Sequence, residues 1–300
     1  MASNQPLTVD KAFVMGYRAQ TQWNWLIATA FLLGKLGAGL FAVALLTTFY
    51  DAALLGLFIA VIGKGAAHLA YLGKPLRCWR MLAHPQTSWI SRGLWAMMVL
   101  SMFGLMALAP FFWWLQWIPL ANGSAAWQGV WTITLLAALV VMVYDGFVMA
   151  TSPAMALWHT ALLPVLAFCY ALLGGVTLHL TLSVWSGARP ESAFLELTGF
   201  ALFALNLLIL ATYLGTMLNS NAAARRGVQV LLSQYRLPFF GGVILVGLMA
   251  TAVLSLLFAA TQEPWLLVLV ALGDVTGHYL LFYLLLKAGL FPPTILRIVR

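Results

Sequence analysis

The chain has 300 residues, of which 63% are hydrophobic and 7% charged, with a formal net charge of +8. A soluble domain carries about 25% charged residues, so too few charges are present to cover a surface of this size in water. That excludes a soluble enzyme, and a basic nucleic-acid-binding domain with it. Apolar runs long enough to cross a bilayer as helices recur along the whole length. A β-barrel would show short alternating segments instead. The fold class is therefore all-α: a polytopic membrane protein forming a single integral membrane domain.

In chain order, residues 1–22 are polar and mixed. The apolar run after them is about a full span long, which argues against a cleaved signal peptide. Residues 8–20 read either as a short interfacial helix with Val9, Phe13 and Tyr17 inward or as a frayed tail. Eight apolar segments follow, at approximately 23–49, 52–72, 90–115, 127–150, 155–182, 194–218, 237–260 and 265–289. Turn chemistry separates them at Tyr50-Asp51, Asn122-Gly123-Ser124, Ser152-Pro153, Ser186 to Glu191, Asn219 to Arg236 and Gln262 to Pro264. The connector between spans 2 and 3, "LGKPLRCWRMLAHPQTSWISRG" at 72–93, is different in kind. It gathers Lys74, Arg77, Arg80, Arg92, His84, two tryptophans and three hydroxyls. Pro292-Pro293 ends the last helix, and 290–300 is a tail.

Eight spans put both termini on one face. That face would carry Lys11, Arg18, Lys74, Arg77, Arg80, Arg92, Arg225, Arg226, Arg236, Lys287, Arg297 and Arg300, and the other only Arg189. Lysine and arginine in short loops favour the cytoplasm, so termini and connector are expected on the cytoplasmic side of the cell's inner membrane. A basic face also suits docking of an acidic partner.

Ionisable groups within spans are costly and ask for a reason. They are Lys35, Lys64, His68, Asp145, His159, Asp274 and His278, with Glu196 and His179 at outer span ends. Lys64 and His68 lie four apart on one helical face, as do Asp274 and His278. Trp25, His68, Tyr144, Asp145 and His159 fall at similar depth near the cytoplasmic face, so spans 1 to 4, with the start of span 5 at the rim, could form one polar pocket. Bland readings stand beside this one. Tyr144, Trp23, Trp25 and Trp158 also suit an interfacial aromatic belt, and Lys64 suits snorkelling. Asp145 also suits pairing with a nearby cation, and Asp274–His278 a polar pair bonding two spans. Lys35, Lys64, Asp274 and His278 form a candidate proton path toward the midplane. Few ionisable residues continue it outward.

Cys78 and Cys169 are too few for an iron–sulfur cluster, which usually needs four thiolates. A membrane di-haem protein needs two histidine pairs, and His179 has no histidine partner on its side; one haem between His68 and His159 stays open. "GKLGAG" at 34–39 lacks phosphate-loop spacing, and its small residues suit close helix packing. No metal site is expected.

The connector at 72–93 resembles the loop between spans 2 and 3 of the NrfD/PsrC family, the membrane subunits of polysulfide reductase-like and DMSO reductase-like complexes. The likeness extends through "QWNWLIATAFLLGKLGAGLF" in span 1 and "VYDGFVMATSPAMALWHTALLPVL" from span 4 into span 5. It implies two four-helix bundles, here 23–150 and 155–289, with a quinone pocket in the first. It also implies an exchangeable quinone (menaquinone or ubiquinone) and no metal or haem in this chain. Partners would be an iron–sulfur (ferredoxin-like) subunit and a molybdenum or tungsten pterin catalytic subunit. The chain would then be one subunit of a quinone-linked oxidoreductase, without a complete active site for the final substrate. On this reading Asn24, Trp25, Tyr144, Trp158 and His159 bind quinone, and Tyr144, Asp145 and His68 carry the proton chemistry. Lys74, Arg77, Arg80, His84 and Arg92 dock the iron–sulfur partner. The sequence departs from polysulfide reductase-like members where span 1 lacks a pocket histidine and Lys35 interrupts the small-residue face. The rival readings are a secondary transporter with a midplane proton-coupled site around Lys35, Asp274 and His278, and a b-haem anchor.

Overall fold

The computed structural model describes residues 16–187 and 192–293. Most of the 8–20 segment, together with Lys11, Arg189, Glu191, Arg297 and Arg300, lies outside the described residues. Among the described residues, eight helices are long and apolar enough to cross a membrane. They are span 1 (Trp25–Leu46), span 2 (Tyr50–Tyr71), span 3 (Trp89–Phe111), span 4 (Ala125–Ala150), span 5 (Leu162–Trp185), span 6 (Ala193–Leu218), span 7 (Pro238–Thr261) and span 8 (Pro264–Lys287). A short amphipathic helix, Ala222–Ser233, connects spans 6 and 7.

Span 1 is the most enclosed helix and packs against spans 2, 4, 5 and 8. Its small residues allow this. Gly37 lies against the backbone of Gly56 and Ala60 in span 2, and Gly39 against Ala171 and Gly175 in span 5. A β-carbon at either position would collide with main chain, so the contacts need glycine. Close backbone approach of this kind supplies the packing that lipid, as apolar as leucine, does not drive.

Two boundaries differ from the hydropathy. Span 5 starts at Leu162, not near 155. Residues 151–161 form turns that tuck apolar side chains inward. Leu157 and Trp158 are buried, Trp158 Nε1 donates to Leu285 O at 2.8 Å, and Tyr213 Oη donates to Leu157 O at 2.8 Å. Hydropathy reads such a segment as helix because it is as buried as one. Span 3 stops before 115: Pro110 has no N–H to continue the helical ladder, and Phe112 is extended.

Span 2 is not a uniform α-helix. Residues Ile59–Gly63 form a wider π-type turn immediately before Lys64. Such bulges shift the phase of the residues that follow and are frequent at functional sites. The described part of the 8–20 segment is not helical. Arg18–Ala19 pairs antiparallel with Leu290–Phe291, and Gln20 Nε2 donates to Leu286 O at 2.8 Å. The two ends of the described chain are thus clipped together on one face.

Candidate functional site

Spans 1, 2, 3 and 4 bring one polar cluster together inside the molecule. Lys35 of span 1 and Asp145 of span 4 form a hydrogen-bonded ion pair, with both side chains buried. The second oxygen of Asp145 accepts the Gly146 N–H at 2.7 Å. A carboxylate at this depth is tolerated because both oxygens are engaged. The Lys35 ammonium also lies 3.5 Å from the Phe282 ring centroid and 5.3 Å from that of Phe31, which adds cation–π attraction.

Lys64 does not snorkel. It is buried, its Nζ donates to Ala30 O at 3.2 Å, and it stands 4.5 Å over the Tyr144 ring. Two glycines make room for this arrangement. The Lys64 stem lies across Gly34, and the Tyr144 ring fills the space that a β-carbon at Gly93 would take. Tyr144 is therefore held between a glycine and an amine, while its hydroxyl and His68 Nε2 sit 3.4 Å apart, a long hydrogen bond. His68 is half-buried, so the Tyr144–His68 edge is the more accessible side of the cluster.

The structure thus brings together Lys35, Lys64, His68, Tyr144 and Asp145. It does not bring in the other four. Trp25 is 57% exposed, pointing outward from span 1. Asn24 caps span 1, its side chain accepting the Leu26 N–H at 2.9 Å. Trp158 is buried against Trp23, with rings stacked at 5.1 Å. His159 is exposed, its Nδ1 bonded to Ala150 O at 2.8 Å. Sequence reasoning took in Trp25 and His159 by depth, which fixes a level and not a direction, and Asn24 and Trp158 through the family resemblance. It also missed Gly93 and treated Gly34 only as helix-packing surface. The one available signal was that Gly34 and Gly93 both lie within spans that border the cluster.

The other midplane residues lie between spans 5 and 8. Thr177 Oγ1 donates to Asp274 Oδ2 at 2.8 Å, while Asp274 Oδ1, both His278 ring nitrogens and Tyr170 Oη have no hydrogen-bond partner among the described residues. Asp274 and His278 are not hydrogen-bonded to each other, so the reading of them as a satisfied pair fails. The Tyr170 and His278 rings are 5.0 Å apart, and Phe282 separates this group from Lys35. A cleft between spans 5 to 8, lined by Thr177, Glu196, Phe200, Phe203 and Phe258, shares no residue with the ion-paired cluster. No group of three or more His, Cys, Asp or Glu side chains among the described residues is placed to hold a metal ion.

The connector is fixed to the start of span 3. Residues Pro75–Leu82 form a 3-10 helix with Leu76 and Trp79 largely exposed beside Arg77 and Arg80. Arg92 turns back, its guanidinium donating to Pro85 O at 2.8 Å and Gln86 O at 2.6 Å, and it lies 4.5 Å over the Trp89 ring. The Ser91 hydroxyl donates to Met81 O, and Trp95 Nε1 donates to Leu82 O at 3.1 Å. Arg92 is therefore committed to holding the loop, whereas Lys74, Arg77, Arg80 and His84 are exposed.

Eight spans, four of them around a buried ion-paired cluster, with a stiffened basic connector at the start of span 3, define a polytopic helical membrane protein. The chain belongs to the polysulphide reductase NrfD family, whose sequence profile matches residues 14–293. No curated protein matches it.

Proposed function

We propose that this chain is the quinone-reactive membrane subunit of an oxidoreductase complex, exchanging electrons with an iron–sulfur partner seated on the connector. The observation that carries the reading is the Tyr144–His68 pair, a hydroxyl and an imidazole at the accessible edge of a buried charged cluster. Such a pair can hydrogen-bond a quinone carbonyl and pass protons to it. Family membership supports the same reading. The quinone, menaquinone or ubiquinone, is an exchangeable substrate that takes two electrons from the partner's clusters and two protons to become quinol, or the reverse. The iron–sulfur clusters and the molybdenum or tungsten pterin belong to partner subunits.

In the assembled complex, added quinol should reduce the partner's clusters, read by electron paramagnetic resonance. Reversing Arg77 and Arg80 to Glu should release the partner at low salt and abolish that signal, because exposed charge pairs steer and hold such encounters. Retention of the partner by the double variant would move docking elsewhere.

His68 lies toward the connector's side, so protons reach the cluster from the face that delivers electrons. Turnover in sealed vesicles is therefore expected to generate no membrane potential, although each charge carried across would be worth about 2.3 kcal/mol per 100 mV. A potential abolished by Asp274→Asn would instead favour the path through Lys35, His278 and Asp274.

A second reading, a secondary transporter with a midplane proton-coupled site, draws on the buried unpartnered atoms of Asp274 and His278. It would predict solute uptake by the chain without partners. The b-haem reading has less support, since His68 and His159 have different partners; an absorption spectrum of the purified chain tests it.

A further inference from the structure

The polar cluster is unbalanced in charge. It holds two buried amines, Lys35 and Lys64, and one carboxylate, Asp145. Asp145 is committed to Lys35 through one oxygen and to the Gly146 N–H through the other. Among the described residues no carboxylate forms an ion pair with Lys64. An ammonium has three donors, and one of them is used, on Ala30 O. Further attraction comes from the Tyr144 and Phe31 rings, at 4.5 and 5.8 Å, and from the nearby Asp145 carboxylate, whose charge Lys35 already balances. An uncompensated cation at membrane depth is costly unless a partner is supplied.

The missing partner is pointed to by position. Lys64 stands over the ring of Tyr144, whose hydroxyl meets His68 at the accessible edge of the cluster. Gly34 makes room for this placement: a β-carbon there would come 2.6 Å from the Lys64 Nζ, so the glycine is what lets the amine lie where it does. We propose that Lys64 is a ligand-binding residue that makes this site select quinone-type ligands whose ring oxygen carries negative charge. The inference rests on the quinone reading above and adds the charge state of the ligand, which nothing in that reading requires. A neutral carbonyl needs only the Tyr144 and His68 hydrogen bonds, whereas an oxyanion also supplies the counter-charge that Lys64 lacks. Hydrogen bonds between charged groups are about twice as strong as neutral ones, so the preference is large enough to measure.

The test uses the purified complex with two probes at neutral pH, in equilibrium dialysis. One is hydroxynaphthoquinone (lawsone), an acid that is ionised under these conditions; the other is its methyl ether, which cannot ionise. The wild type should bind the anion about ten-fold or more tightly than the ether. Lys64→Gln should bring the ratio of anion to ether affinity close to one. Gly34→Ala, which displaces the amine without deleting it, provides an independent variant should Lys64→Gln fail to assemble. Equal binding of anion and ether by the wild type, or an undiminished preference in the variants, would overturn the role of Lys64 and leave the quinone site standing. Failure of both probes to bind the wild type would remove the quinone site itself, and this proposal with it.

Discussion

Replacing Tyr144 with Phe should lower quinone turnover in the assembled complex by about a hundred-fold, the lower range for loss of one positioned acid–base group. The ring is fixed from both sides, by Gly93 and by Lys64, so phenylalanine keeps the packing and the cation–π contact. Only the hydroxyl beside His68 Nε2, at 3.4 Å, is lost. Assembly with the partner and thermal stability should therefore be unchanged. Steady-state quinol kinetics decide the matter, and a variant with wild-type rates would remove Tyr144 from the site.

The second large effect is on stability. Lys35→Met takes from Asp145 its hydrogen-bonded ion-pair partner, which should cost about 3–5 kcal/mol, as breaking a buried pair from one side usually does. Lys35 also loses its place on the Phe282 ring, 3.5 Å away, which ties span 1 to span 8. Replacing both partners, Lys35→Met with Asp145→Leu, removes the carboxylate stripped of its hydrogen-bonded partner and should recover part of the loss, Lys64 remaining without a carboxylate nearby. Thermal unfolding of the detergent-solubilised chain distinguishes the two. A single variant as stable as the wild type, or a double variant no better than the single, would show that the pair does not brace spans 1 and 4.

The fold was largely legible because lipid imposes one requirement on every span: about twenty apolar residues in sequence. The eight spans of the structure fall within the eight apolar segments to within a few residues, except where Pro110 and the inward-folded 151–161 segment change the path. The site was legible only in part. Lys64, His68 and Asp145 stood out as charges or imidazole in apolar helices, and the structure does bring them together. Trp25 and His159 were grouped with them by depth alone, and both face outward. Hydropathy could not show the direction a side chain takes, because span 1 is apolar all round and carries no periodic stripe to orient it, and His159 lies in the 151–161 turns, outside any helix. The π-type turn before Lys64 adds a phase shift that helical counting does not include. Gly93 was invisible for another reason: a glycine that seats a tyrosine ring reads like any other small residue in a span.

The most direct measurement is photolabelling of the complex with an azido-quinone, followed by mass spectrometry of the labelled peptides. A quinone site at the accessible edge of the cluster places the label on span 2 near Lys64 and His68 and on span 4 near Tyr144, with protection by excess quinone. Label confined to spans 6 to 8, around the cleft that holds Glu196 or the buried Asp274–His278 group, would contradict it.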